Sequence, residues 1–193
     1  MKTYRNNLNH FFSLVEALEK LPSIGKKSAQ RMAYTLSIEN KNLALQISHC
    51  IENAIDHVSK CSICGGVSES EICEICLDEN RHNGQICMVL HPRDIFTIEE
   101  IGDFKGIYQV ISELEMFDFI TLKKQIQKFQ IKEIIFAFSP TLANDSIMLF
   151  IEHNLQDCDL IFTKIAQGVP TGIGLENIDQ LSLARAFSSR IKL

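Results

Sequence analysis

Cys61, Cys64, Cys73 and Cys76 stand as two Cys-x-x-Cys pairs separated by the eight residues GGVSESEI. Each pair can present two thiolates from one tight turn, and two such turns can converge on a tetrahedral ion, the arrangement zinc prefers. Gly65 and Gly66 suit the positive φ angles that such turns use. Four sulfur ligands leave no open coordination position, so the metal would be structural, one Zn²⁺ per chain, rather than catalytic. The competing readings are two disulfides or a redox Cys-x-x-Cys, which needs only one pair. The segment CSICGGVSESEICEIC has too few apolar residues to hold itself by burial, and metal binding would supply its folding energy.

A second stretch with chemistry is LPSIGKKSAQRMA, residues 21–33. Pro22 presets a turn, Gly25 lets backbone approach a partner closely, and a helix starting near Lys26 would point unpaired N–H groups outward. Such an end suits a phosphate. Lys26, Lys27 and Arg31 lie beside it, Lys27 and Arg31 share a face at i, i+4, and Lys20 precedes the turn. The contact would be blind to base sequence. The same residues read equally well as a plain helical hairpin with solvated lysines, its Ala29, Met32, Ala33 and Leu36 packed back on the first helix. The six histidines, His10, His49, His57, His82, His91 and His153, show no ligand spacing and no triad partner; His57, close before the cysteines, is the one candidate alternate ligand.

These groups must be positioned by the elements around them. To about Val58 the apolar pattern is helical: Leu8, Phe11, Phe12, Val15 and Leu18, then Leu43, Ile47, Cys50, Ile51, Ala54, Ile55 and Val58. The third helix should be capped near Asn40 or Asn42. From about Asn83, the runs ICMVL, GIYQVIS, EIIFAFS and DLIFTKIA read as buried strands. RDIFTIEEI, TLKKQIQKF and TLANDSIMLFIEHNL read as the helices between them, which predicts an α/β layer with a mostly parallel sheet. The glycine-bearing GVPTGIGLENID and a short helix follow.

The chain has 193 residues, 46% hydrophobic and 22% charged, with a formal net charge of −5. This composition is that of a globular protein and argues against a generally basic nucleic-acid coat, without excluding a local basic patch. No apolar run approaches the roughly 20 residues of a membrane span, and MKTYRNNLNHFFSL lacks a signal peptide's apolar stretch. The expectation is therefore a cytoplasmic protein without membrane contact, in which Cys50, Cys87 and Cys158 are buried thiols rather than disulfides.

Taken together, the hairpin, the four cysteines, the α/β part and IAQGVPTGIGLENIDQLSLARAF resemble the RecR family of bacterial recombination mediators, in the family's order and over nearly the whole chain. The resemblance implies a helix-hairpin-helix DNA-binding region over 1–58, a four-cysteine zinc finger over 59–80, a Toprim-like domain over 81–168, and a Walker-B-like loop and helix over 169–193. It further implies a non-catalytic DNA-repair protein at the nucleoid. That protein would act with RecO, and in many bacteria RecF, to help RecA displace single-strand-binding protein on gapped, single- or double-stranded DNA. A homodimer or ring-like homotetramer would encircle the DNA. Carried onto this chain, Lys27 and Arg31 become the leading DNA contacts, with Lys26 third and Arg5 and Lys20 as helpers.

The sequence departs from that family pattern in several places. Toprim enzymes cluster carboxylates because Mg²⁺ takes oxygen ligands. Here Leu90 and His91 stand where glutamates would end the first strand, Ala143 replaces a further glutamate, and Asp145 is the nearest residual acid. This argues against a Mg²⁺-dependent nuclease or primase and for a protein-binding surface, while putting any RecO contact through Toprim carboxylates in doubt. A protein-binding zinc module with a vestigial hairpin is the third reading. Ser23 replaces the hairpin's first glycine, and SELEMFDFIT replaces a glycine-rich loop. No phosphate-cradling G-x-x-x-x-G-K-[ST] loop accompanies the C-terminal signature. Glu176 and Asp179 therefore read as packing, turn or subunit-contact residues, and Pro170, Gly172 and Gly174 as loop geometry.

Overall fold

The computed structural model describes residues 7–166, 172 and 174–188, the side chains of residues 181, 185 and 188 excepted. Contacts divide the chain after Val58 into two compact units.

In the first unit, α1 (Asn9–Glu19) and α2 (Lys26–Tyr34) form a hairpin, and α2 runs on through a wider helical turn over Thr35–Glu39. Two alanines one helical turn apart let the helices approach closely: Ala29 and Ala33 are fully buried against Val15, with Phe11, Leu14, Leu18 and Ile24 around them. Met32 lies off that face and is 38% exposed, so it does not pack back on α1 as its type suggested. Asn40, not Asn42, caps α3 (Lys41–His57), its Oδ1 accepting the Leu43 N–H at 3.0 Å. The apolar stripe of α3 finds no cover: the helix buries no residue, and Cys50 is exposed rather than buried.

The second unit starts with a small antiparallel hairpin, β1 (Ser59–Lys60) and β2 (Val67–Ser68), and a one-turn helix α4 (Glu74–Leu77). An α/β layer follows: β3 (Gln85–Val89), α5 (Pro92–Ile101), β4 (Ile107–Val110), α6 (Phe119–Lys128), β5 (Glu133–Phe136), α7 (Leu142–Asn154) and β6 (Ile161–Lys164). Strands β3 to β6 form one parallel sheet, in the order β4-β3-β5-β6. After a short turn over Leu175–Asn177, α8 (Gln180–Ser188) is the last described element.

The central strand β3 is covered on both faces, as its unbroken apolar run requires. Ile86 and Met88 join Ile134, Phe136, Leu122, Ile126 and Ile151 on one side. Cys87 and Val89 join Tyr108, Val110 and Ile95 on the other. The strand expected from DLIFTKIA is present but sits at the sheet edge, and Ile161 is 64% exposed. Of the three scattered cysteines only Cys87 is buried; Cys158 is half-buried. No helix among the described residues is long and apolar enough to cross a membrane.

Candidate metal centre and nucleic-acid interface

Two local devices bring the four cysteines together. After β1 the chain turns so that the Cys61 N–H donates to the Gly66 carbonyl at 2.7 Å and the Gly65 N–H to the Cys61 carbonyl at 2.9 Å. On the other side Cys73 precedes α4, which carries Cys76, and the Ser62 N–H ties the two turns by donating to the Glu71 carbonyl at 2.8 Å. Gly65 takes the left-handed φ of +72° expected of it. Gly66 does not: it is glycine for room, since a Cβ there would stand 3.0 Å from the Ile95 side chain and 3.2 Å from Cys64 Sγ.

The sulfurs all lie within 4.8 Å of one another. Bonds of about 2.3 Å to a tetrahedral zinc place sulfurs roughly 3.8 Å apart, and Cys64 Sγ to Cys73 Sγ is 3.7 Å. Backbone N–H groups of Gly66 and Cys73 donate to Cys64 Sγ and Cys61 Sγ, both at 3.3 Å, as suits thiolate acceptors. None of the seven cysteines is bridged. The cluster cannot hold several negative charges alone. Hydrogen bonding from Cys76 brings the Cys64 thiol down to about 6, while burial pushes Cys73 up to about 11 and donation to Cys64 holds Cys76 above its ordinary value. A dication removes that conflict. The donor set thus fits one structural zinc ion, with every position taken by sulfur. His57 takes no part; its Nδ1 bonds the Asn53 carbonyl at 2.9 Å within α3.

At the hairpin, Gly25 is the N-cap of α2, extended at φ −87° and ψ 167°, with no side chain capping the helix and no acid in its first turn. The first N–H groups of α2 therefore lack intrahelical partners, and nothing offsets the positive end of its dipole. Lys20, Lys26, Lys27 and Arg31 are all exposed. Among the described residues none of Lys26, Lys27 and Arg31 is in an ion pair. A Cβ on Gly25 would meet nothing within 4 Å, so the fold of this unit does not require glycine there. Ser23, which the resemblance sets in place of a glycine, occupies the left-handed region at φ 64°. Arg5 lies outside the described residues.

In the α/β unit a crevice of about 810 Å³ opens at the C-terminal ends of β3 and β5, the position where such sheets bind ligands. Leu90, His91, Arg93, Asp94, Ser139 and Asn144 are among its lining residues. Asp94 is the one carboxylate among its described lining residues, and that accepts the His91 N–H at 3.2 Å as part of the cap of α5. Ala143 is exposed on α7 outside the lining. Asp145 points into a different groove, beside Glu152 and Lys164. The described walls of the crevice thus lack the clustered carboxylates of a Mg²⁺ site. At the C-terminal signature, Glu176 is exposed in the Leu175–Asn177 turn, and its carboxylate fills the space that a Cβ on Gly174 would need. Asp179 Oδ1 accepts the Ser182 N–H at 2.9 Å at the start of α8. Gly172 is left-handed at φ 83°, and Pro170 lies outside the described residues.

One polar cluster escaped the sequence entirely. Arg81 grips both Glu99 oxygens at 2.9 and 2.6 Å and donates through Nε to the Gly106 carbonyl at 2.9 Å. The Tyr108 hydroxyl donates to the same carboxylate at 2.5 Å. The Arg81 guanidinium holds Glu99 below the ordinary carboxylate range. The cluster ties the turn after the zinc segment to α5 and β4. Residues this far apart in the chain carry no shared spacing, so no sequence signal pointed to it.

Two family models match the chain, both of RecR: its helix-hairpin-helix over residues 12–55, and its four-cysteine zinc finger domain over residues 58–78. The chain is 60% identical over 192 residues to the "Recombination protein RecR" of Helicobacter pylori (strain Shi470), covering 100% of both. It is 48% identical to that of a Nitratiruptor species, over 98% of this chain and 100% of the relative. Against that of Campylobacter jejuni subsp. doylei it is 44% identical, over 96% and 98%.

Proposed function

The chain belongs to the RecR family, and on that premise we propose that it is a DNA-binding recombination protein of DNA repair that works without catalysis. The observation that carries the DNA-binding role is the N-terminus of α2: uncapped N–H groups, an open Gly25, and Lys26, Lys27 and Arg31 exposed without ion-pair partners among the described residues. Phosphate oxygens suit this end, and bases do not, so the contact serves any sequence. The absence of a second carboxylate from the described crevice walls supports a scaffold rather than a phosphoryl-transfer enzyme. In this reading the zinc holds the knuckle folded, and the α/β unit offers a surface to RecO, and to RecF where it is used, in loading RecA on gapped DNA.

A chain of net charge −5 with three cations at one hairpin binds DNA weakly alone. Several hairpins in a homodimer or ring-like homotetramer act together through effective concentration. The uncovered stripe of α3 and its C-cap, with Leu43, Ile47, Ile51, Ile55 and Val58 all at least 37% exposed, supports association between copies.

Salt dependence of duplex binding tests the hairpin. Three neutralised phosphates per chain give a log–log slope of about −2.7, a loss of roughly fortyfold between 50 and 200 mM salt. Replacing Lys27 and Arg31 by alanine leaves one contact, a slope of about −0.9 and a loss of roughly threefold. An unchanged slope in the double variant overturns the assignment.

A further inference from the structure

The two edges of the parallel sheet are treated differently. β6 is half-exposed, whereas every residue of β4 is buried although it is also a terminal strand. The cores cover its faces, and the zinc knuckle covers its outer edge at Gln109 and Val110. The Ile111 N–H turns inward to the Val89 carbonyl, so the Val110 N–H faces outward, and it donates to the Cys64 carbonyl at 2.8 Å. The Gln109 side chain, itself buried, reaches the same carbonyl at 3.5 Å and the Val110 carbonyl at 3.2 Å. Gly65 lies flat against the strand; a Cβ there would stand 3.4 Å from Val110 Cβ. On the flank, Gln125 of α6 donates to the Ile63 carbonyl at 3.1 Å, and the Ile63 side chain packs on the main core.

Cys64 therefore belongs to two structures at once. Its sulfur points into the ligand cluster, while its carbonyl accepts the outward Val110 N–H of the sheet edge. The backbone between Cys61 and Gly66 is short and carries few apolar side chains, so its shape depends on its two anchors, metal on one side and β4 with α6 on the other.

We propose that zinc occupancy controls closure of the β4 edge: the loaded knuckle seals the outward N–H of Val110, and the empty knuckle releases it. An unsealed edge is a template for pairing with another strand, which gives the zinc site a role in keeping the sheet from joining the wrong partner, beyond folding its own loop. Coupling between two sites is reciprocal, so the contacts that hold the knuckle on β4 and α6 also raise its affinity for zinc.

Hydrogen–deuterium exchange on the full-length zinc-loaded protein, before and after chelation, tests this. Peptides covering Ile107–Val110 should lose protection together with residues 61–76 and regain it when Zn²⁺ is restored, while β3 and β5 stay protected. Retained protection of β4 in the chelated protein overturns the proposal, as does loss of protection throughout β3 and β5, because zinc would then govern the whole unit rather than its edge. The reciprocal arm uses Gln125→Ala, which leaves all four ligands intact. Zinc affinity, read at equilibrium by competition with a chromogenic chelator, should be about fivefold weaker, the equivalent of one neutral hydrogen bond; an unchanged affinity overturns the coupling.

Discussion

Gly25→Ala separates what the hairpin needs in order to fold from what it needs in order to bind. Gly25 has φ −87° and ψ 167°, which any residue adopts, and a methyl group there meets no atom within 4 Å. Two small effects on stability oppose each other. Alanine narrows the unfolded chain, stabilising by about 0.4–1 kcal/mol, but it is a poorer N-cap than glycine by roughly 0.5–1 kcal/mol. The sum lies within about 0.5 kcal/mol of zero, a melting shift of no more than about 4 °C for a small unit. Binding should respond differently. The methyl group stands beside the first N–H groups of α2 and holds a phosphate away from them. Losing one charge-assisted hydrogen bond costs about 1.5–3 kcal/mol, or roughly 10- to 150-fold in affinity per engaged hairpin. Thermal melting and titration of labelled gapped DNA, run on the same preparation, read both quantities. Unchanged affinity would refute the reasoning, because the backbone at Gly25 would not then be approached. A melting loss beyond about 8 °C would refute it too, since the glycine would serve the fold.

Ser23→Gly relieves a left-handed residue at φ 64° and should stabilise the hairpin by about 0.5–1 kcal/mol, the left-handed cost for an L-residue less glycine's own entropy; a lower melting temperature shows that the serine is held there by a contact of its own. Glu99 has a folded pKa below its ordinary value, so its contribution is complete above the unfolded value near 4.3 and is lost as the pH falls through the folded one. Melting of the parent should fall more steeply below about pH 5 than that of Glu99→Gln, and parallel curves would show that the Arg81 contact does not matter to stability. Ile51→Glu places a charge in the open stripe of α3 and should lower the mass measured in solution, with little change in helix content, because Ile51 is 54% exposed in the single chain; an unchanged mass removes α3 from the association surface.

Much of this protein was legible because its devices are local. The two Cys-x-x-Cys pairs bring their ligands together through turns of a few residues, so spacing alone located the metal centre and the structure added the 3.7 Å sulfur separation. The hairpin cations follow closely on a glycine, and helix geometry alone places Lys27 and Arg31 on one face. Alternating apolar runs and amphipathic stretches pointed to the α/β layer, since each element had to bury one kind of face.

Packing between distant elements set what no spacing encodes. Cys50 and Cys87 are the same residue in similarly apolar surroundings, yet one is exposed on α3 and the other is buried in the central strand. Whether an amphipathic face is covered depends on a partner elsewhere, not on the face. Asn144 lines the crevice, but helix rotation turns the next residue, Asp145, into a separate groove. Arg81, Glu99 and Tyr108 meet only because the sheet brings β4 beside α5. The ligands of the metal and the cations of the hairpin were already fixed by residue order, because bonded geometry over a few residues leaves little choice. Closure of the sheet edge at Val110 by the Cys64 carbonyl was not, because a hydrogen bond between such remote positions depends on where two separate elements come to rest.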